Sequence, residues 1–345
     1  MISYPTSGPK STFTPVLAVN INEISSEKNI SILKIQMNPN RFGEFIIVNS
    51  DFTMNYLSLN SGSIFSLGTY AMTSRINAVS FFRGTDENYS TAFASGDTSG
   101  NISIWKCKEN KPVKTFSSHG KGGVLSIDIN DKYLCAGYGK EIVMWDLRTM
   151  KQIGKSSYAH SEAVTSVKLY ENYLLSGGED NVINIFNLNE KQNEKNLLCK
   201  DSVEMTINLG QSIDSVAPLE SGFLSAITTV NTFHVVSLNS GACQYEFDAK
   251  NPSMGTDYIL DVYYDNTEHK AELFCGSFKG GLSLIDFNLG NQNVQPIIST
   301  VLNTNIEQTF NSVGRVNKDA FITASDTGYL YVLNRVPIKE DEEMK

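Results

Sequence analysis

The stretch LLSGGEDNVINIFNLN, residues 174–189, joins three signals in one short run. Small residues (Ser176, Gly177, Gly178) end an apolar segment and an acidic turn follows (Glu179, Asp180). From Val182 to Asn187 apolar and polar residues then alternate. The run reads as two strands joined by a tight turn. Whether it decides the fold depends on whether it recurs.

It is one of seven copies. SGDTSGNISIWK (95–106), AGYGKEIVMWD (136–146), GSFKGGLSLID (276–286) and ASDTGYLYVLN (324–334) repeat the order of small residues, polar or glycine turn and alternating strand. VNSDFTMNYLS (48–58) and ITTVNTFHVVS (227–237) are weaker copies. The last large apolar residue of each copy is Leu57, Trp105, Trp145, Phe186, Val236, Ile285 or Leu333, at spacings of 48, 40, 41, 50, 49 and 48 residues. A second marker precedes each copy, a short strand with apolar residues three apart. It reads Ile32/Ile35, Ile76/Val79, Val124/Ile127, Val164/Val167, Ile213/Val216, Ile259/Val262 and Phe310/Val313.

Each spacing accommodates about four short strands and no long segment of 3.6-residue period. A four-stranded antiparallel sheet has two faces to bury, and radial stacking around a channel buries both. The expected fold is therefore an all-β, seven-bladed β-propeller of four-stranded antiparallel blades. The seventh unit supplies three strands, near 306–314, 319–326 and 329–336, so residues 15–24 (PVLAVNINEI) are expected to complete it and close the ring. The organisation that follows is a flexible N-terminus (1–14), one propeller (15–336) and an acidic tail (337–345).

Composition bounds the function. The 345 residues are 41% hydrophobic and 19% charged, with a net charge of −9. A pI near 5.1 argues against a surface that binds nucleic acid by neutralising phosphates. No apolar run approaches the roughly 18 residues that span a bilayer, and the N-terminus lacks the apolar core of a signal peptide. Five widely spaced cysteines, with no CxxC pair, read as reduced thiols in a cytoplasmic or nuclear protein. No GxxxxGK[ST], HExxH, GxSxG or Cys/His cluster occurs, so no cofactor, metal or catalytic residue is expected.

IVMWDLR (142–148), preceded by SSHG (117–120), resembles the WD repeat (WD40), as does YAH (158–160) with SGGED (176–180). The resemblance covers residues 15–336, with its strongest motifs in blades two to four. It implies a buried hydrogen-bond network of His, Ser or Thr, Asp and Trp. Blade four supplies His160, Ser176 and Asp180, with Phe186 at the Trp position. Blade three supplies His119 and Trp145 without the Asp; blade two supplies Ser95 and Trp105, with Ser99 at the Asp position and no upstream His. A buried Asp must be satisfied by donors, which makes the acidic turn a structural pin. A Ser/His/Asp set also fits nucleophilic catalysis, but a second-strand Ser inside a blade has no cleft to work in.

Within the superfamily the chain is most similar to the WD repeat-containing protein 89 family. DINDKYLCAGYGKEIVMWDLR, AHSEAVTSVKLYENYLLSGGEDNVINIFNLN and DYILDVYYDNTEHKAELFCGSFKGGLSLID carry the likeness. It implies a non-catalytic propeller that binds other proteins or peptides, as a monomer or a subunit of a larger complex. Neither nucleic acid nor membrane is an expected partner. Function then rests on the face loops. The candidates on the face bearing the loops before strand one and after strand two are Arg75, Lys121, Tyr138, Tyr158 and Glu179, together with Tyr258, Phe278 and Lys279. Aromatic and Arg side chains are the usual interface anchors. WDLR (145–148) also matches the WDxR pattern of propellers that resemble substrate receptors of cullin-4 ubiquitin ligases, with Asp146 and Arg148 on the opposite face. A third reading, a small-molecule binder or enzyme using the central channel, needs several carboxylates or metal ligands around the axis, and the sequence assembles no such ring.

Overall fold

A computed structural model describes residues 9–23, 29–84, 91–117, 122–189, 196–219, 222–250, 255–265, 268–289, 296–302 and 308–338. Apart from two 3-10 turns (Ile21–Glu23 and Lys200–Ser202), its regular elements are strands. Five separate four-stranded meanders form blades one to five, and a single eight-stranded sheet forms blades six and seven. The first strands are Ile32–Met37, Ile76–Phe81, Val124–Ile129, Val164–Tyr170, Ile213–Leu219, Tyr258–Asp265 and Phe310–Arg315. The residues Leu57, Trp105, Trp145, Phe186, Val236, Ile285 and Leu333 all lie on third strands and are buried.

The small residues of the repeat have a packing cause. A Cβ on Gly96 would stand 2.4 Å from Val124 Cγ1 of the next blade, and one on Gly177 would stand 2.6 Å from Ile213 Cγ2. Neighbouring blades thus press onto the second strand, leaving no room for a side chain there. Second strands are buried along nearly their whole length, Ala92–Asp97 and Tyr133–Tyr138 without a break. Outer strands such as Ser63–Ala71 alternate between covered and exposed positions.

Around the axis, side chains stitch each first strand to the next. Every first strand shifts register near its start, as at Ile76/Ala78 and Val164/Ser166. The displaced residue reaches the neighbouring blade. Asn77 Nδ2 donates to Val124 O at 2.9 Å, Thr165 Oγ1 to Ile213 O at 2.6 Å and Asn311 Nδ2 to Ile32 O at 3.0 Å. One position further on, Ser166 Oγ accepts from Val216 N–H and Ser312 Oγ from Ile35 N–H.

The ring closes through the N-terminal strand, Ser11–Asn20. It pairs antiparallel with Tyr329–Pro337 from Ser11↔Pro337 to Asn20↔Tyr329, as the fourth strand of blade seven. The strand starts four residues earlier than expected and ends at Asn20, where a 3-10 turn follows. The boundary expected at residue 14 is corrected accordingly, because Phe13 supplies the apolar anchor. Phe13 is fully buried, 6.2 Å from the Phe274 ring of blade six and 5.5 Å from Phe321 of blade seven. Val16 sits at the bulge between Pro15 and Leu17 and is 55% exposed. The strand's first residues also pair in parallel with blade six, Ser11↔Thr300 to Phe13↔Leu302, which merges the two blades into one sheet.

The seam between blades six and seven is ionic. Glu272, fully buried, lies 3.0 Å from Arg315 Nη1, 3.3 Å from Lys270 Nζ and 3.6 Å from Arg335 Nη1. Arg335 Nε also donates to Ser11 Oγ at 3.1 Å, tying the closing strand into this cluster. A chain beginning at residue 30 should therefore lose a sheet edge, the Phe13 anchor and the Ser11 bond together. It is expected to melt well below the full chain or to aggregate; equal thermal midpoints would show that the ring holds without its closing strand.

Candidate functional site

The blade-four pin is formed by residues from three loops and strands. His160 Nδ1 lies 3.0 Å from Asp180 Oδ1, and His160 Nε2 lies 2.8 Å from Ser176 Oγ. Ser161 N–H donates to Asp180 Oδ2 at 2.8 Å. Burial works to raise the Asp180 pKa, but the bonds from His160 and the Ser161 and Val182 amides outweigh it and hold the carboxyl below its ordinary value. An ionised carboxylate only accepts, so Nδ1 carries the proton and Nε2 accepts from Ser176. Gly178 is required here, since a Cβ would stand 2.6 Å from both His160 Nδ1 and Asp180 Oδ1. Ser176 and His160 are buried, so this Ser/His/Asp set presents no nucleophile at an exposed site.

Blades two and three vary the theme. Trp105 Nε1 donates to Ser95 Oγ at 2.9 Å. The turn is held by Asp97, whose Oδ1 accepts from Asn101 N–H at 2.8 Å, while Ser99 is exposed. Strand register sets Ser99 at the position Asp180 holds in blade four, as expected, but the turn's acceptor is Asp97, two residues earlier. Trp145 packs 5.3 Å from Phe116 of blade two, and Ala136 occupies the second-strand position that Ser95 and Ser176 hold in their blades. His119, like Lys121, lies outside the described residues.

Polar groups on the first strands escaped the sequence reading. Asp128 is fully buried and joins three blades: it accepts from Ser80 of blade two at 3.0 Å and from Leu169 N–H of blade four at 2.8 Å. Arg83 pairs with both its oxygens, and Lys168 Nζ lies 3.7 Å away. Burial pushes the Asp128 pKa up, yet Lys168, Arg83 and Leu169 N–H hold it below the ordinary value. Further around the channel, burial raises the pKa of Asp214 and of Asp261 and lowers that of Lys34, against the opposing charges of Asp261 and Asp214 on Lys34. Among the described residues no group of three or more His, Cys, Asp or Glu could hold a metal. No helix among them is long and apolar enough to cross a membrane.

Most of the face candidates reach the surface. Phe278 is 72% exposed and its ring centroid lies 5.2 Å from that of Tyr258. Its turn is fixed by Asp257, whose Oδ2 accepts from Phe278 N–H at 2.8 Å and Ser277 Oγ at 3.0 Å. Lys279 follows, exposed. Val230, missed in the sequence, is 46% exposed on the neighbouring blade-five turn, where Asn231 Oδ1 accepts from Ile259 N–H. Arg75 and Glu179 are exposed on separate loops. Tyr158 is 40% exposed, but its hydroxyl donates to Leu198 O and the Lys200 ammonium lies 5.6 Å over its ring. Tyr138 corrects the expectation. It is 7% exposed, its ring set 6.4 Å from Trp145, because a turn one residue shorter folds it into the blade. On the opposite face Asp146 accepts from the Thr149 amide and hydroxyl, and Arg148 is exposed.

The family model for the WD domain, G-beta repeat matches residues 110–146 and 151–187. The crystal structure of the WD40 beta propeller domain of Doa1 superposes with a TM-score of 0.68, covering 96% of this chain and 98% of that one at 13% identity. The chain is a β-propeller, with WD40-type repeats matched at those two segments. This propeller is similar to WD repeat-containing protein 89 homolog of Dictyostelium discoideum, 27% identical over 191 residues (52% of this chain, 51% of that protein). It is also similar to WD repeat-containing protein GTS1 of Arabidopsis thaliana, 24% identical over 189 residues (52% and 46%). These matches span about half the length of each relative.

Asp180→Ala should leave His160 and two backbone amides short of an acceptor, costing the propeller about 1–3 kcal/mol at neutral pH. Because the folded-state pKa is depressed, that stabilisation is present above the ordinary carboxylate pKa and lost as pH falls through the lower folded value. Denaturant titrations of wild type and variant should therefore diverge at neutral pH and converge in acid below about pH 4. A gap that is absent at neutral pH, or constant into acid, would refute an ionised pin.

Proposed function

We propose that this propeller is a non-catalytic protein-interaction scaffold that engages its partners through face loops. The observation that carries the reading is Phe278, held 72% exposed on a turn fixed by Asp257. A rigid exposed aromatic beside Tyr258, with Val230 and Lys279 near it, has the composition of an interface anchor and loses little entropy on binding. The likeness to WD-repeat proteins supports the same role. All five cysteines are free thiols, which supports action in a reducing compartment, the cytoplasm or nucleus. Affinity purification with mass spectrometry should recover at least one stable partner from wild type and lose it with Phe278→Ala, with thermal midpoints unchanged. Partners retained in full by the variant would place the interface elsewhere.

A second reading rests on Asp146 and Arg148. Asp146 is engaged within its own turn, which leaves the exposed Arg148 side chain to reach outward. In a substrate receptor of a cullin-4 type ubiquitin ligase, this Arg would make a charge-assisted bond to the ligase's propeller adaptor. Arg148→Ala should then abolish co-purification of that adaptor without altering the melt. Wild-type protein that never retains the adaptor rejects the receptor reading.

A further inference from the structure

The face opposite Phe278 concentrates positive charge. Residues 106–114, which join the third and fourth strands of blade two, read KCKENKPVK, and Lys106, Lys108, Lys111 and Lys114 are all exposed. Phe116 lies 5.3 Å from Trp145, and Met150 packs into the same cluster as Ile102 and Ile104. The hairpin therefore rests against the matching turn of blade three, where Arg148 and Lys151 are exposed. Beside them Lys132 O accepts from Leu147 N–H at 2.9 Å, which brings one more exposed lysine to the rim. None of these cations has a carboxylate within 4.0 Å among the described residues.

Among the described residues, the carboxylates in the same turns, Glu109, Asp131 and Asp146, are outnumbered by these cations. Asp146 is moreover occupied by Thr149. Elsewhere acids dominate, since Asp and Glu outnumber Lys and Arg by 37 to 28. Like charges within a Debye length of about 8 Å repel one another, and an anionic partner relieves that repulsion. At the edge of the rim stands Phe42, 75% exposed, beside the exposed Arg41. Its turn is docked on blade two by Asn40 Nδ2, which donates to Phe82 O at 2.7 Å.

We propose that this rim docks an acidic polypeptide segment bearing a large apolar side chain. The cations of blades two and three take the carboxylates, and Phe42 takes the apolar residue. The proposal rests on the scaffold reading and names the partner's chemistry at a second face. A peptide fits better than nucleic acid. Glu109 and Asp131 interrupt the track a phosphate backbone needs, and Phe116, the ring among the lysines, is occupied by Trp145 and by the Lys114 ammonium 5.7 Å above it.

The test uses fluorescence anisotropy with the full chain and three labelled probes. These are a peptide alternating Glu and Asp around one Phe, its counterpart with Ser for the acids, and a single-stranded RNA of equal length. Wild type and Lys250→Glu, a control on the other face, should bind the acidic peptide alike and ignore the neutral one. Lys108→Glu/Lys111→Glu/Lys114→Glu should weaken binding about tenfold or more, as should raising salt from about 50 to 200 mM on wild type. Phe42→Ala should weaken the Phe-bearing peptide and not its Ala-substituted form. Failure of wild type to bind the acidic peptide at low salt overturns the proposal, as does unchanged binding by a folded triple variant. Tighter binding of the RNA overturns it in favour of nucleic acid. Arg148 and Phe278 are untouched throughout, so a failure here leaves both earlier readings standing.

Discussion

Nine register pairs between Ser11–Asn20 and Tyr329–Pro337 put strands from the two ends of the chain in one sheet. Each blade buries its faces only because another blade stands on either side, so every blade's burial depends on a complete ring. A gap would expose two faces at once. Phe13 is the apolar part of this closure, seated between rings from blades six and seven. Ser11 is the polar part, bonded to Ser299 O, Thr300 and Arg335. The matched family segments show why the end strand belongs to the far blade. Residues 110–146 begin with the outer strand of blade two and finish on the third strand of blade three. The repeat is thus one strand out of phase with the blade, so each unit interlocks with its neighbour and the first must interlock with the last.

Inside the ring, apolar packing and polar stitching divide the labour. Apolar contact between blades presses hard enough to demand glycine on the second strand, as at Gly96 and Gly177. It is non-directional, however, and does not fix how far one blade slides past the next. The hydrogen bonds from Asn77, Thr165 and Asn311 to the following blade do, because their geometry tolerates little displacement. Asp128 extends the principle to three consecutive blades, and the ionic seam around Glu272 applies it where the ring closes.

What was legible in the sequence follows the same division. Blade number, strand order and the buried third-strand residues could be read because packing imposes a local, repeated pattern of small and apolar residues. The blade-four pin could be read because its three members lie within 21 residues of one another. Asp128 could not, since its partners Ser80 and Leu169 are 48 and 41 residues away and belong to other blades. The parallel pairing of Ser11–Phe13 was hidden for the same reason, with its partners near the other end. Tyr138 was misplaced because a glycine turn marks where a loop is and not which way its first side chain points. The exposed candidate surface was half legible: Phe278 and Tyr258 announce themselves as aromatic residues in or near turns, whereas Val230 is ordinary until its exposure is known.

The closing strand also sets an order of events in the cell. Arg335 and Ser11, bonded in the finished seam, are 324 residues apart in the chain. On the ribosome the strand that emerges first must wait for the one that emerges last. At synthesis rates of about 5–20 residues per second, that wait is on the order of tens of seconds. Blades one to five can form meanwhile as local meanders, but Phe13 and a row of unpaired amides stay uncovered. A neighbouring nascent chain presents the same sequence and the same third strands, so the waiting strand can pair with the wrong copy. The mature ring has no open edge at that position; the growing one carries it through most of its synthesis.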